Sequence, residues 1–167
     1  MTMPGMCVVK RSGKQEEVSF DKILQRLASL GEGLPIDMHQ LSKKVIDQLH
    51  DGISTTRLDD LAAEQCAMQS TEHPAYGVMA ARLVASNHIK ETPGTFSEAV
   101  CQLASSTDAN GRPCPIVSET FARTVAEHAT RFNDMVVGEN DYRFSYFGFR
   151  TLLRSYLLKA RDRGVPR

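Results

Sequence analysis

Residues 8 to 22 read Val-Val-Lys-Arg-Ser-Gly-Lys-Gln-Glu-Glu-Val-Ser-Phe-Asp-Lys. Val8 and Val9 favour a strand, Ser12-Gly13 supplies a two-residue turn of the kind that needs positive φ, and Gln15 to Val18 return as a second strand. Lys10, Arg11 and Lys14 then cluster at one end of a hairpin. A helix follows at once, with Ser19 or Asp21 placed to cap it and Ile23, Leu24, Leu27 and Leu30 as its apolar positions. Cations around a glycine turn, beside a helix start, make a seat for a polyphosphate. An ordinary charged hairpin tip has the same signature, so the rest of the chain has to decide between the two.

Downstream, Gly31 to Pro35 breaks the helical pattern, and Leu41, Val45, Ile46 and Leu49 mark the apolar face of a second helix ending near Asp51-Gly52. Ser54, Thr55 and Thr56 precede a third helix that runs to about Gln69. The Thr56-x-x-Asp59 spacing is close to a capping box, with an acid in the first turn where the helix dipole favours it. Thr71 to Pro74 opens a fourth helix, in which Val78, Ala81 and Ala85, flanked by Met79 and Leu83, form a small-residue face for close packing. It ends near Lys90-Glu91-Thr92, because Pro93-Gly94 cannot continue it, and the main boundary falls here. Residues 95 to 104 read as a short helix, Ser105 to Pro115 as turns, and Ser118 as the cap of a helix carrying Phe121, Val125 and Ala129. The aromatic cluster Tyr142, Phe144, Tyr146, Phe147, Phe149 and Tyr156 is the expected core of this second, helical segment.

The 167 residues, 41% of them hydrophobic, suffice for a core. No stretch approaches the ~18 to 20 apolar residues of a membrane span, and the start Met-Thr-Met-Pro-Gly-Met has no basic or apolar leader pattern, so the chain reads as cytosolic. Lys plus Arg and Asp plus Glu balance at 20 each, which leaves no global field to draw the chain onto nucleic acid or an anionic membrane. Cys7, Cys66, Cys101 and Cys114 form no Cys-x-x-Cys pair and read as reduced, mostly buried thiols. The histidines lack the spacing of a helical metal site.

Three segments are therefore candidates for one anion site: the hairpin cations with Lys22, the helix start from Thr55 to Asp59, and Lys90. Phosphate oxygens call for charge-assisted donors and the free amides of a helix N-terminus. Asp59 and Glu16, being anionic, suit ribose hydroxyls, an adenine amino group, or a magnesium ion beside the phosphates. There is no Gly-x-x-x-x-Gly-Lys loop and no Gly-x-Gly-x-x-Gly, so neither a P-loop nor a Rossmann site is supported.

Met6 to Ile23, Met-Cys-Val-Val-Lys-Arg-Ser-Gly-Lys-Gln-Glu-Glu-Val-Ser-Phe-Asp-Lys-Ile, resembles the opening of the ATP-cone that begins the large subunit of class I ribonucleotide reductase of the eukaryotic type. Gly52 to Ala63, His73-Pro74-Ala75-Tyr76, Ala80-Ala81-Arg82 and Ser86-Asn87-His88-Ile89-Lys90-Glu91-Thr92 resemble the rest of the cone. Phe144 to Lys159 resembles the helical segment before the catalytic barrel. The resemblance implies a mainly α fold, an N-terminal β-hairpin packed on a four-helix bundle over residues 6–94, a small all-α segment over 95–159, and a divergent tail over 160–167. It further implies that Lys10, Arg11, Glu16, Glu17, Val18, Ser19, Phe20, Asp21, Lys22, Thr55, Asp59 and Lys90 line an allosteric site for ATP or dATP, with Mg2+, and that Asp59 stands at the position tied to telling the two nucleotides apart in effect. Ser12 stands where an Asp is common, and Arg57 where an acid can occur.

In that family ATP permits activity, while dATP favours large-subunit rings that cannot work productively with the radical-bearing small subunit. The resemblance thus implies adenine nucleotides, other copies of the large subunit and the small subunit as partners, with no nucleic acid and no membrane. Nucleoside diphosphate reduction in the family depends on a thiyl-radical cysteine and a redox-active cysteine pair in the barrel and the C-terminus; none of the four cysteines here lies in those segments, and this chain alone is expected to be inactive. Two other readings stand beside this one. A nucleotide-sensing repressor would join an ATP-cone to a zinc ribbon, and its paired cysteines and basic DNA-facing surface are missing here. A helical interaction module without a live nucleotide site would join reductase oligomers and disturb them.

Overall fold

The computed structural model describes the backbone of residues 2–158 and the side chains of residues 5–158; the sequence expectations for Lys159 and the tail 160–167 lie outside it. In chain order the elements are β1 (Thr2–Val9), β2 (Gln15–Ser19), α1 (Phe20–Leu30), α2 (Met38–Ile46), β3 (Ile53–Ser54), α3 (Thr55–Met68), α4 (Pro74–Ile89), α5 (Phe96–Ala104), α6 (Glu119–Glu127), α7 (Ala129–Met135) and α8 (Tyr146–Ser155). Short 3-10 helices occupy Gln69–Thr71 and Gly138–Arg143. The fold is mainly helical with one small sheet, as the sequence led us to expect. The described residues gather into two compact units: one holds those up to His88 together with Asp141–Thr151, the other Ile89–Asn140 and residues 152–158.

In the first unit β1 and β2 form the hairpin, with Cys7, Val8 and Val9 opposite Glu17, Glu16 and Gln15. The turn differs from the expected two-residue form. The Gly13 amide donates to the Lys10 carbonyl at 2.8 Å and the Lys10 amide to the Lys14 carbonyl at 2.8 Å, so Arg11 and Ser12 are the central residues and Gly13 follows them at φ +80°. A left-handed residue after such a turn restores the strand twist, and glycine holds it without steric cost.

The sheet has a third strand that the sequence reading did not anticipate. β3 pairs in parallel with β1, Val8 with Ile53 and Val9 with Ser54, giving the order β2-β1-β3. The loop before it is tied down as well: the Gly52 amide donates to the Cys7 carbonyl at 2.9 Å, and the Cys7 amide donates to Asp51 Oδ1 at 2.8 Å.

The helices pack on this sheet because their apolar residues recur at helical spacing. Ile23 and Leu27 of α1, Leu41, Val45 and Ile46 of α2, Leu58, Ala62 and Cys66 of α3, and Met79, Ala80 and Leu83 of α4 share one core with Val8, Val18 and Ile53. α2 stops at Ile46, so Leu49 joins the core from the following turn rather than from the helix. Asp37 caps α2, accepting from the amides of His39 and Gln40. Val78 is exposed and lies off the small-residue face of α4, while Ala81 and Ala85 are buried as expected. Arg82 of α4 donates to the Leu30 and Glu32 carbonyls at 2.8 and 3.0 Å, satisfying backbone acceptors that the end of α1 leaves open.

The aromatic cluster does not form the core of the second unit. Phe149 is buried and meets the His88 ring with centroids 5.7 Å apart, Phe144 packs on Phe149, and Tyr146 lies against the core of the first unit; Phe147 stays exposed. In the second unit, Val100 and Val125 supply the buried apolar side chains, and Phe96 packs on Phe132. Ser97 and Asn133 tie α5 to α7 through two 3.0 Å hydrogen bonds, and Asp108 organises the intervening turn by accepting from the amides of Asn110 and Arg112. Ser118 caps α6 as expected, but Phe121 is exposed and Ala129 begins the separate helix α7. The thiols also differ from expectation: Cys66 alone is buried, Cys7 is partly so, and Cys101 and Cys114 are exposed.

Candidate functional site

Parallel pairing of β1 with β3 assembles the site. Paired residues on neighbouring strands lie about 5 Å apart, so when Val9 is matched with Ser54 the chain emerges as Lys10 and Arg11 on one side and as Thr55 and Thr56, the first residues of α3, on the other. The cap of α3 is Ser54, whose hydroxyl accepts from the Arg57 amide at 3.1 Å. The capping frame is therefore two residues earlier than Thr56-x-x-Asp59. Asp59 lies beyond the first turn and is buried, its side chain only 7% exposed.

Two clusters of charge result. In the first, Glu16 on β2 faces Lys10 at 3.0 Å, Lys22 at 3.0 Å and Lys14 at 3.5 Å. Hydrogen bonds from Lys10 and Lys22 hold the Glu16 carboxyl well below the usual carboxylate range, at about 2. Three ammoniums, two from the hairpin and one from α1, share one carboxylate, an excess of two positive charges among these four groups.

The second cluster surrounds Asp59. Arg11 from the hairpin tip approaches its carboxylate at 3.6 Å and Arg26 from α1 at 3.3 Å; Arg26 also donates to the Ser86 hydroxyl at 2.9 Å. Arg11 donates a hydrogen bond to Asn87 Oδ1, and the Asn87 amide group donates to the Thr56 carbonyl at 3.2 Å and to Asp60 Oδ1 at 3.1 Å. Burial pushes the Asp60 carboxyl up, against the opposing pull of Asn87 and Arg150, whose guanidinium lies 3.8 Å away. Hairpin tip, α1, the start of α3 and the end of α4 thus converge on one patch of cations and acceptors.

The remaining residues named from the sequence fall in different places. Glu17 is exposed on β2. Val18 is 1% exposed and belongs to the core. Ser19 occupies the N-cap of α1 without a side-chain cap bond, Phe20 packs against the core, and Asp21 sits in the first turn of α1. Lys22 joins Glu16, and Thr55 opens α3. Lys90 belongs to the second unit. Sequence reasoning missed Arg26, Asp60, Ser86 and Asn87. The available signal was a pair of adjacent polar residues, Ser86-Asn87, closing a helix that is otherwise apolar on nearly every side.

Residues 6–91 match the ATP cone domain, and the chain belongs to that family. It is also similar to ribonucleoside-diphosphate reductase large subunits. It is 40% identical over 166 residues to that of Vaccinia virus, covering 97% of this chain and 22% of the relative, and 40% identical over 166 residues to that of Danio rerio, covering 97% and 21%. With large chain 2 of Saccharomyces cerevisiae it shares 39% identity over 158 residues, covering 92% of this chain and 18% of the relative. The chain spans about a fifth of the length of these relatives.

Proposed function

We propose that this chain is the N-terminal regulatory portion of a ribonucleoside-diphosphate reductase large subunit, and that it senses adenine nucleotides, with ATP as activator and dATP as inhibitor of deoxyribonucleotide synthesis. The observation that carries the reading is the strand pairing that sets Lys10 and Arg11 beside the start of α3, backed by a lysine cluster with an excess of two positive charges. A nucleoside triphosphate brings about three to four negative charges, which suits ammonium and guanidinium donors together with the unpaired amides of a helix N-terminus. In this reading Lys10, Arg11 and Lys22 meet the phosphates, Thr55 offers its hydroxyl and amide, the backbone from Glu16 to Phe20 borders the base, and Asp59 distinguishes the two sugars. Magnesium is commonly held by one or two carboxylates plus the phosphates themselves; Glu16 and Asp59, which lie beside Lys10 and Arg11, are the carboxylates this reading assigns to it.

Residues 6–94 form the regulatory domain in this proposal. They work in the cytoplasm, on oligomers of the large subunit and on its pairing with the small subunit. A nucleotide shifts such assemblies only as far as it binds one of them better than another. Among the described residues no helix is long and apolar enough to cross a membrane. All four cysteines are free, and the chain mixed with small subunit and reductant is expected to form no deoxynucleotide. Calorimetric titration tests the reading: saturable heat with ATP and dATP is expected, and flat titrations with both would leave an interaction module without a live nucleotide site.

A further inference from the structure

Asn87 is 5% exposed, in the last turn of α4. A buried amide is costly unless its polar atoms are matched, and here both ends are used. Its orientation is fixed by its partners. A guanidinium only donates, so the oxygen must face Arg11. The Thr56 carbonyl and the Asp60 carboxylate accept, so the NH2 group must face them. One side chain therefore joins the hairpin tip to the first turns of α3.

Arg11 needs such a partner. It sits at the centre of an exposed turn, on a long side chain that loses considerable freedom when held in one place. Its ion pair with Asp59, at 3.6 Å, is wider than an ordinary hydrogen bond, and Asp59 also serves Arg26. The Asn87 oxygen supplies the directional contact. Being neutral, it orients the guanidinium without cancelling its charge, so Arg11 stays an effective donor for an arriving anion. A second carboxylate at that place would hold Arg11 as firmly while neutralising it.

We propose that Asn87 is a positioning residue that latches the hairpin tip to α3 by holding the Arg11 guanidinium in its anion-receiving orientation. Its effect on affinity rests on the reading of this site as a nucleotide site; the latch itself does not.

The test is a double-mutant cycle on the full chain with Arg11→Ala, Asn87→Leu and the pair, read in two ways. Without nucleotide, hydrogen exchange is followed at the Lys10 and Gly13 amides of the turn. With ATP as the probe, affinity is measured by calorimetry. Each single variant is expected to speed exchange at the turn and to weaken ATP binding roughly tenfold, the scale of one hydrogen bond to a charged group. The double variant is expected to go no further than Arg11→Ala alone. A purely structural Asn87 would instead give effects that add. Additive effects, or an unchanged turn in Asn87→Leu, overturn the latch. Should Asn87→Leu not fold, the wild-type chain decides by itself: 15N resonances of the Arg11 guanidinium should show hindered rotation, and rotation as fast as that of arginine in water overturns the proposal. If wild type binds no ATP while the exchange cycle behaves as expected, the nucleotide reading fails and the latch stands. If ATP binds and exchange at the turn ignores Asn87, the reverse holds.

Discussion

Arg26 meets Asp59 edge-on, with Nε 3.4 Å from Oδ1 and Nη2 3.3 Å from Oδ2. The carboxylate is nearly buried, and Arg11 approaches it from the hairpin, so one acid on α3 ties down both the hairpin tip and α1, which are distant from it in sequence. Removing a buried member of such a group leaves its partners uncompensated. Asp59→Asn is expected to lower stability by about 2 kcal/mol, discounted from the deeper-buried cases because both arginines keep partial access to water. Urea denaturation measures this; a midpoint equal to wild type would show that the arginines do not depend on Asp59.

Glu16 gives the fold an acid-sensitive element. Its folded pKa is depressed from 4.5 to about 2 by hydrogen bonds from Lys10 and Lys22. A depressed carboxylate stabilises the folded state above its unfolded pKa, and that contribution fades as pH falls through the folded value. Wild type should therefore lose thermal stability relative to Glu16→Gln between about pH 4.5 and pH 2, with most of the gap present at pH 5 and little left at pH 2. Melting curves of both proteins across that range check the window. Because the lysines are largely exposed, added salt should narrow the gap as well.

Thiol reactivity should follow burial. Cys66 is fully enclosed, and burial pushes its thiol up to about 12, so thiolate is scarce at neutral pH. Brief alkylation followed by mass spectrometry should label Cys101 and Cys114 first and Cys7 more slowly, and should leave Cys66 unmodified until denaturant is added. Early labelling of Cys66 would mean that the helical core opens readily.

Ile53 supports the site through the core. It is 2% exposed and lies in the two-residue strand that carries α3 to the hairpin. Ile53→Ala should cost roughly 2–5 kcal/mol by leaving a cavity and should speed hydrogen exchange of the Gly52 amide, which donates to Cys7. A loss below about 0.5 kcal/mol would place this strand outside the cooperative core.

The hairpin and the four helices behind it were legible because their signals are local: β-branched pairs, a glycine turn, and apolar residues three and four apart, as in Ile23 with Leu27 and Leu41 with Val45. β3 was not, since two residues cannot display a period and its partner Val8 is far away in sequence. The capping frame of α3 was misread because Ser54 and Thr56 both offer hydroxyls to the same helix start; only backbone geometry separates Ser54-x-x-Arg57 from Thr56-x-x-Asp59. The aromatic residues from Tyr142 onward were assigned to the wrong core because hydrophobicity says that a side chain will be covered, not which unit covers it; Phe149 and Tyr146 pack in the first unit. Of the candidate site, the cations could be read directly. Their counter-ions Glu16 and Asp59 could be read as well, but the residues that anchor them, Arg26, Ser86 and Asn87, became visible only when α1 and α4 were folded against α3.

The central claim is that the hairpin tip, the start of α3 and the end of α4 form one nucleotide site. It is tested most directly by titrating isotopically labelled chain with dATP and following backbone amide shifts. Saturable shifts are expected at Lys10 to Lys22, Thr55 to Asp60 and Ser86 to His88, abolished together when Lys10 and Arg11 are both replaced by Ala. Shifts confined to α5 through α7, or none at any dATP concentration, would contradict it.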